Sequence, residues 1–227
     1  MCGIAGVIAL DRQPVDSDVV ERMLDAIQHR GPDARGVVRP EPSVVFGHVR
    51  LSIFDLHERA NQPMEFGKHT IIYNGEVYNF KDIVDPDWGD LQTSSDTEVV
   101  LRSLMTDGIE ALESFNGFFA LAWHHGETVW LIRDRFGQKP LYYARHDNCL
   151  YFASEVKALC ETGMKLTSDD TLCRYVERYR FSPDLSPFKE VRMLPPGQFL
   201  KIATDTGEVE AGVYYSLQEQ ISKRVRS

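Results

Sequence analysis

The chain opens with MCGIAGVIAL, residues 1–10, and this stretch poses the question that organises the rest. It reads as a strand, with a cysteine behind only the initiator methionine. If Met1 is removed, Cys2 carries both a thiol and a free α-amine. An α-amine has a reference pKa of about 7.7–8.0, close to the working range of a general base. Nucleophile and base would then belong to one residue, the cysteine counterpart of a threonine paired with its own N-terminal amine. A lone cysteine has a plainer reading as a small buried residue. Residues farther along discriminate between the two.

The composition, 43% hydrophobic and 26% charged over 227 residues, is that of an ordinary soluble chain with one sizeable core or two small ones. A formal net charge of −9 argues against a nucleic-acid partner, whose phosphates call for basic surface. No apolar run approaches the ~20 residues that span a bilayer. The run at 4–10 is short for a signal peptide and follows no basic segment, so no membrane and a cytoplasmic setting are expected. Cys2, Cys149, Cys160 and Cys173 form no CxxC pair and meet no histidine at zinc-finger spacing, so neither a metal nor a disulfide framework is expected. The last three read as buried thiols.

Hydrophobic spacing predicts a helix over 18–28, with Val20, Met23, Leu24 and Ile27 on one face and Gly31-Pro32 as its stop. A second helix starts at SSDTEVVLRSLM, where Ser95 and Glu98 have capping-box spacing and Gly108 supplies the end. Shorter helices are predicted at 155–162 and 169–180. FFALAWHHGETVWLIRD and PLYYARHDNCLYFAS each read as a strand hairpin, and Asn74-Gly75 in IIYNGEVYNF carries a hairpin-turn signal. Hairpins in blocks with helices between them imply an α+β protein in which helices cover antiparallel sheets.

Three segments carry groups suited to chemistry. In GHVRLSI, 47–53, alternation places Val49, Leu51 and Ile53 on one face of a strand and His48, Arg50 and Ser52 on the other. The planar Arg50 guanidinium can hold a carboxylate by two parallel hydrogen bonds or form an incidental ion pair. Asn74 and the Gly75 N–H can form either a tight turn or two donors for a developing oxyanion. Asp96 can favour a helix N-terminus or hold an ammonium group. Singly, each has an adequate structural explanation.

Taken together, the segments fit a family. MCGIAG, HRGPD (29–33), GHVRLSI, QP (62–63), YNGEVYN (73–79) and SDTEV (95–99) resemble the class II glutamine amidotransferases. DRFGQKPLYY (134–143), FASEVKAL (152–159) and LPPG (194–197) narrow the resemblance to the asparagine-synthetase type. The motifs occur in the family's order and cover almost the whole chain.

The resemblance implies an N-terminal-nucleophile hydrolase fold, a four-layer αββα sandwich of two antiparallel sheets. It implies hydrolysis of L-glutamine to glutamate and ammonia through a Cys2 thioester, without a cofactor. Cys2 matches the nucleophile, and Asn74 with the Gly75 N–H matches the oxyanion hole. Arg50, Glu76 and Asp96 match groups that recognise glutamine, with Arg50 at its α-carboxylate and Asp96 at its α-ammonium. Backbone groups of Leu51 and Ile53 match a glutamine-contacting strand.

Full-length relatives continue into an ATP-using synthetase domain, whose Ser-Gly-Gly…Asp-Ser phosphate-binding run is not in this sequence. The expected organisation is therefore a glutaminase domain over 1–215 and a C-terminal tail over 216–227, left from the connection to an absent synthetase domain. The expected partner is a separate ATP-dependent synthetase or amidotransferase subunit that receives ammonia. The segment 80–94 is short for one often helical in relatives, and Pro86 and Gly89 interrupt any helix there. Two other functions fit the same residues: an amidohydrolase acting on another γ-glutamyl amide, and a non-catalytic module that binds glutamine.

Overall fold

The structure is a computed structural model that describes residues 1–168 and 186–226. Its strands in chain order are β1 (Gly3–Ala9), β2 (Ala34–Glu41), β3 (Val44–Arg50), β4 (Met64–Phe66), β5 (His69–Val77) and β6 (Gly117–His125). They continue as β7 (Thr128–Arg133), β8 (Tyr142–His146), β9 (Cys149–Ala153), β10 (Val191–Met193), β11 (Gln198–Ala203) and β12 (Val209–Val213). One sheet has the order β10-β8-β9-β1-β3-β2, the other β12-β11-β7-β6-β5-β4, and neighbouring strands run antiparallel.

The period of two along each strand builds the layers. Ile4 and Ile8 of β1, Phe46 of β3, Ile72 of β5 and Ala120 of β6 all enter one core between the sheets. Ala5, Val7, Val45 and Val49, of opposite parity, pack under α1 (Ser17–Ile27) with its buried Val20, Met23, Leu24 and Ile27. Ile71, Tyr73 and Phe119 pack under α2 (Asp96–Asp107) on the other outer face. The result is a four-layer αββα sandwich, as expected. Each large apolar side chain buried here contributes about 1.5–3 kcal/mol relative to exposure.

Helix α1 starts one residue before the expected position, because Asp16 caps it by accepting from the Asp18 N–H. The predicted helix at 155–162 is α3 (Val156–Leu159) followed by a 3-10 turn, Cys160–Thr162. Both predicted hairpins form, as β6–β7 and β8–β9. The predicted helix at 169–180 lies outside the described residues, as does Cys173. In 80–94 the regular structure is one 3-10 turn, Pro86–Trp88.

Several expectations are corrected. Asn74-Gly75 is not a turn: both lie inside β5, opposite Ala120 and Phe119 of β6. Glycine is required there by close approach, since an added Cβ would stand 2.4 Å from the Phe118 carbonyl oxygen and 2.6 Å from the Phe119 Cβ. The strand expected over 47–53 ends at Arg50, so Leu51 and Ile53 leave the sheet, and Ile53 is exposed. On its polar face His48 and Arg50 are buried, because β3 lies between α1 and the second sheet.

The capping box also does not form, since the Ser95 side chain makes no cap bond. Glu98 turns back to accept from the Gln92 and Thr93 N–H groups and the Thr93 hydroxyl, and pairs with Arg102 at 2.8 Å. Cys149 is half-buried and Cys160 exposed, because the turn after α3 lies on the surface.

Candidate active site

At the Cys2 end of β1 the two sheets bring the sequence-predicted residues together. Cys2, Arg50, Leu51, Ile53, Gly75, Glu76 and Asp96 line one cleft, with Tyr73 and Gln62 at its base. Asn74 stands beside it. Asn74 and Glu76 share the parity of Ile72, which faces the first sheet and therefore Cys2.

The Cys2 thiol donates to the Leu51 carbonyl at 3.6 Å, and burial pushes it above the ordinary thiol range. At neutral pH the sulfur is therefore protonated and needs a base to react. The Asn74 side chain is buried, and its Nδ2 has no hydrogen-bond partner among the described residues. A buried amide donor without an acceptor costs about 1–3 kcal/mol, so an acceptor arriving there gains what the fold forgoes.

The acidic pair is stratified by its surroundings. Asp96 accepts from the Tyr73 hydroxyl at 2.8 Å and from the Val77 N–H at 3.0 Å, tying α2 to β5. Burial raises its carboxyl above the usual range despite these donors. Glu76 is pushed up to about 7, by burial first and then by Asp96, while Lys139 opposes the shift. Behind them, burial drives His48 down to about 3. The neutral ring donates from Nε2 to the Tyr73 carbonyl at 3.2 Å and links the two sheets.

Arg50 is fully engaged at its terminal nitrogens. Nη1 donates to the Asn61 Oδ1 at 2.7 Å and the His57 carbonyl at 3.2 Å; Nη2 donates to the Phe54 and Asp55 carbonyls at 3.0 and 2.5 Å. The loop 51–61 thus folds over the guanidinium and leaves a cleft of about 30 Å³. Asp55 fastens this loop, accepting from the Ser94 N–H at 2.8 Å and from Arg59 at 3.1 Å.

Other residues of the quoted motifs hold the site although sequence reasoning assigned them no role. Gln62 accepts from the Tyr73 N–H at 2.6 Å and donates to the Thr97 hydroxyl at 3.3 Å, joining β5 to α2. Arg30 donates from Nε to the Cys2 carbonyl at 2.9 Å and from Nη1 to Glu155 at 2.8 Å. Motif membership was their only signal in the sequence.

The two stacked antiparallel sheets between helices define a class of fold, that of the N-terminal-nucleophile hydrolases. The fold is shared with the glutamine phosphoribosylpyrophosphate amidotransferase of Bacillus subtilis, at TM-score 0.72 and 18% identity over 94% of this chain and 49% of that one. The model of the glutamine amidotransferase domain family matches residues 1–215. Asparagine synthetase [glutamine-hydrolyzing] 1 of Bacillus subtilis is 34% identical over 95% of this chain and 35% of its own length. The amidase chry2 of Gibberella zeae is 33% identical over 100% of this chain and 36% of its own length. This chain belongs to the glutamine amidotransferase family and is a class II domain similar to those of glutamine-hydrolysing asparagine synthetases. It spans about a third of the length of these two curated relatives.

Proposed function

We propose that this domain hydrolyses L-glutamine to glutamate and ammonia with Cys2 as nucleophile, and that the ammonia passes to an ATP-dependent synthetase activity. The observation that carries this reading is a cleft holding a thiol at position 2 and a charge set suited to a zwitterion, beside the buried Asn74, whose Nδ2 has no hydrogen-bond partner among the described residues.

With Met1 removed, the Cys2 α-amine takes the thiol proton and the sulfur attacks the glutamine Cδ. The oxyanion accepts from Asn74 Nδ2 and the Gly75 N–H, each such donor being worth about 3–4 kcal/mol in the transition state. The α-amine then protonates the departing nitrogen, ammonia leaves, and water hydrolyses the γ-glutamyl thioester. Arg50 receives the α-carboxylate, while Asp96 and Glu76 receive the α-ammonium.

Because loop carbonyls already occupy Arg50, substrate binding and displacement of 54–61 are one event. The incoming carboxylate replaces neutral acceptors with a charged one, and charge-assisted bonds are about twice as strong. Backbone groups of Leu51 and Ile53 border the substrate once this loop has moved.

A synthetase docking surface is supported by the exposed apolar side chains Phe136, Val213, Leu217 and Ile221, in the 134–139 loop and at 213–221. We assign the synthetase to a separate subunit, the domain to 1–215 and a connecting tail to 216–227. We place the reaction in the cytoplasm, where a free thiol nucleophile stays reduced.

A second reading, hydrolysis of a different γ-glutamyl amide, is favoured by the likeness to an amidase over the whole chain. The test is release of glutamate and ammonia from L-glutamine by protein lacking Met1, with Cys2→Ala as control. Release that depends on Cys2 supports the first reading. No release from glutamine, with release from a larger γ-glutamyl amide, supports the second.

A further inference from the structure

The α-amine and the thiol of Cys2 can serve as base and nucleophile only if the residue's backbone is held, since it lies outside the strand at the chain's end. One hydrogen-bond system reaches it and a second anchors Ile4, two residues on; both involve neighbouring residues at the end of β9. Ser154, fully buried, accepts from the Ile4 N–H at its hydroxyl, 3.0 Å, and donates its own N–H to the Ile4 carbonyl, 2.9 Å. Beside it, Glu155 Oε1 accepts from Arg30 Nη1 at 2.8 Å, and Arg30 Nε donates to the Cys2 carbonyl at 2.9 Å.

The Arg30 side chain is 8% exposed, and its alkyl part approaches Gly3 so closely that an added Cβ would meet Arg30 Cδ at 3.3 Å. A long side chain in such a sleeve turns chiefly about its last bonds, which is the freedom that Glu155 removes. His29 and Lys157 also bond Glu155, at 3.0 and 3.4 Å, but both are about half exposed and contribute little by themselves. Burial opposes the Glu155 charge, yet the Arg30 hydrogen bond together with the Arg30, His29 and Lys157 charges holds its carboxyl below the usual range. It is therefore ionised wherever the domain is folded at neutral pH.

We propose that Glu155 is a positioning residue for the nucleophile, acting through Arg30 to fix the Cys2 carbonyl and with it the directions of the thiol and the α-amine. This rests on the reading of Cys2 as the nucleophile. The relay accounts for why the HRGPD and FASEVKAL segments, about 125 residues apart, belong to one site.

The experiment compares the full chain, freed of Met1, with Glu155→Gln, Glu155→Ala, Arg30→Ala and the Arg30→Ala/Glu155→Ala double variant. Glutamine kinetics and amide hydrogen exchange of the N-terminal peptide are measured on each. A misplacement near 1 Å can cost about a hundredfold, so kcat of Glu155→Ala should fall about ten- to a hundredfold, with KM changed less than about threefold. Glu155→Gln, which keeps an acceptor oxygen, should fall in between.

The double variant should be no slower than Arg30→Ala alone, because among the described residues the hydrogen bonds of Glu155 reach Cys2 through Arg30. Exchange at Gly3 and Ile4 should rise in Glu155→Ala more than exchange in β6. Additive losses in the double variant, or unchanged exchange at the N-terminus, overturn the relay. If the unmodified protein releases no glutamate, the glutaminase reading fails, and the exchange measurement alone then decides whether Glu155 positions Cys2. Should Glu155→Ala fail to fold, Glu155→Gln carries the comparison.

Discussion

Replacing Asn74 by leucine, which has nearly the same shape and no polar atoms, should move activity and stability in opposite directions. The Asn74 side chain is buried and its Nδ2 has no acceptor among the described residues, so the folded protein carries the desolvation penalty of that donor, about 1–3 kcal/mol. Leucine removes the penalty and adds apolar contact between the sheets. The melting temperature should therefore hold or rise, by about 2–4 °C per kcal/mol for a domain of this size. Turnover loses one oxyanion donor, about 2.7–4 kcal/mol, and kcat should fall about a hundred- to a thousandfold. KM should stay within about threefold, because the donor acts on charge that develops only in the transition state. Glutamate release at saturating glutamine and a thermal melt on the same sample read both quantities. Retention of kcat within about tenfold would refute the oxyanion role. A fall in kcat accompanied by a melting loss of several degrees would refute the argument from the unpartnered donor, since Asn74 would then serve packing.

Other variants test neighbouring parts of the site. Glu76, raised to about 7 from an ordinary 4.5, costs the folded state its proton affinity as pH rises: its stabilisation is complete below pH 4.5 and is lost by about pH 7. Glu76→Gln should flatten the decline of melting temperature across that window, and an unchanged pH profile would rule out the shift. If Glu76 receives the substrate ammonium, KM for glutamine should also fall as pH rises through about 7 in the parent but not in the variant. Arg50→Leu removes the guanidinium that gathers three backbone carbonyls and Asn61. Charged hydrogen bonds are worth about 1.5–3 kcal/mol each, so KM should rise at least about tenfold and the melt should fall; a changed kcat at constant KM would contradict the assignment. Gly31→Ala would place a Cβ 2.3 Å from the Val49 carbonyl carbon and 2.4 Å from the Arg50 nitrogen. Since backbone atoms must shift, a cost of about 1–3 kcal/mol and a lower melting temperature are expected, and a neutral melt would show that the contact relaxes freely.

Much of this architecture was legible because it depends on neighbours a few residues apart. The apolar face of α1 repeats at helical spacing, Gly108 ends α2, and the β6–β7 and β8–β9 hairpins close through short polar turns. The same local reading failed at Asn74-Gly75, because a turn signal says nothing of another strand's backbone. There β6 approaches so closely that only glycine fits, and the dipeptide runs straight through β5. It failed at Ser95 and Glu98 because donors from the preceding loop, together with Arg102, outcompete the helix N-terminus for the Glu98 carboxylate.

By itself the sequence determined the candidate chemistry: a cysteine at position 2, a guanidinium, an Asn-Gly pair and two acids, in an order that marks a family. Only the tertiary structure decided their state. It left the Asn74 donor without a partner among the described residues, filled Arg50 with loop carbonyls and pushed Glu76 up to about 7. It also joined Cys2 through Arg30 to Glu155. The reason is physical. Residue type sets what a group can do, whereas burial and partners set which of those things it does, and both are properties of elements far apart in the chain.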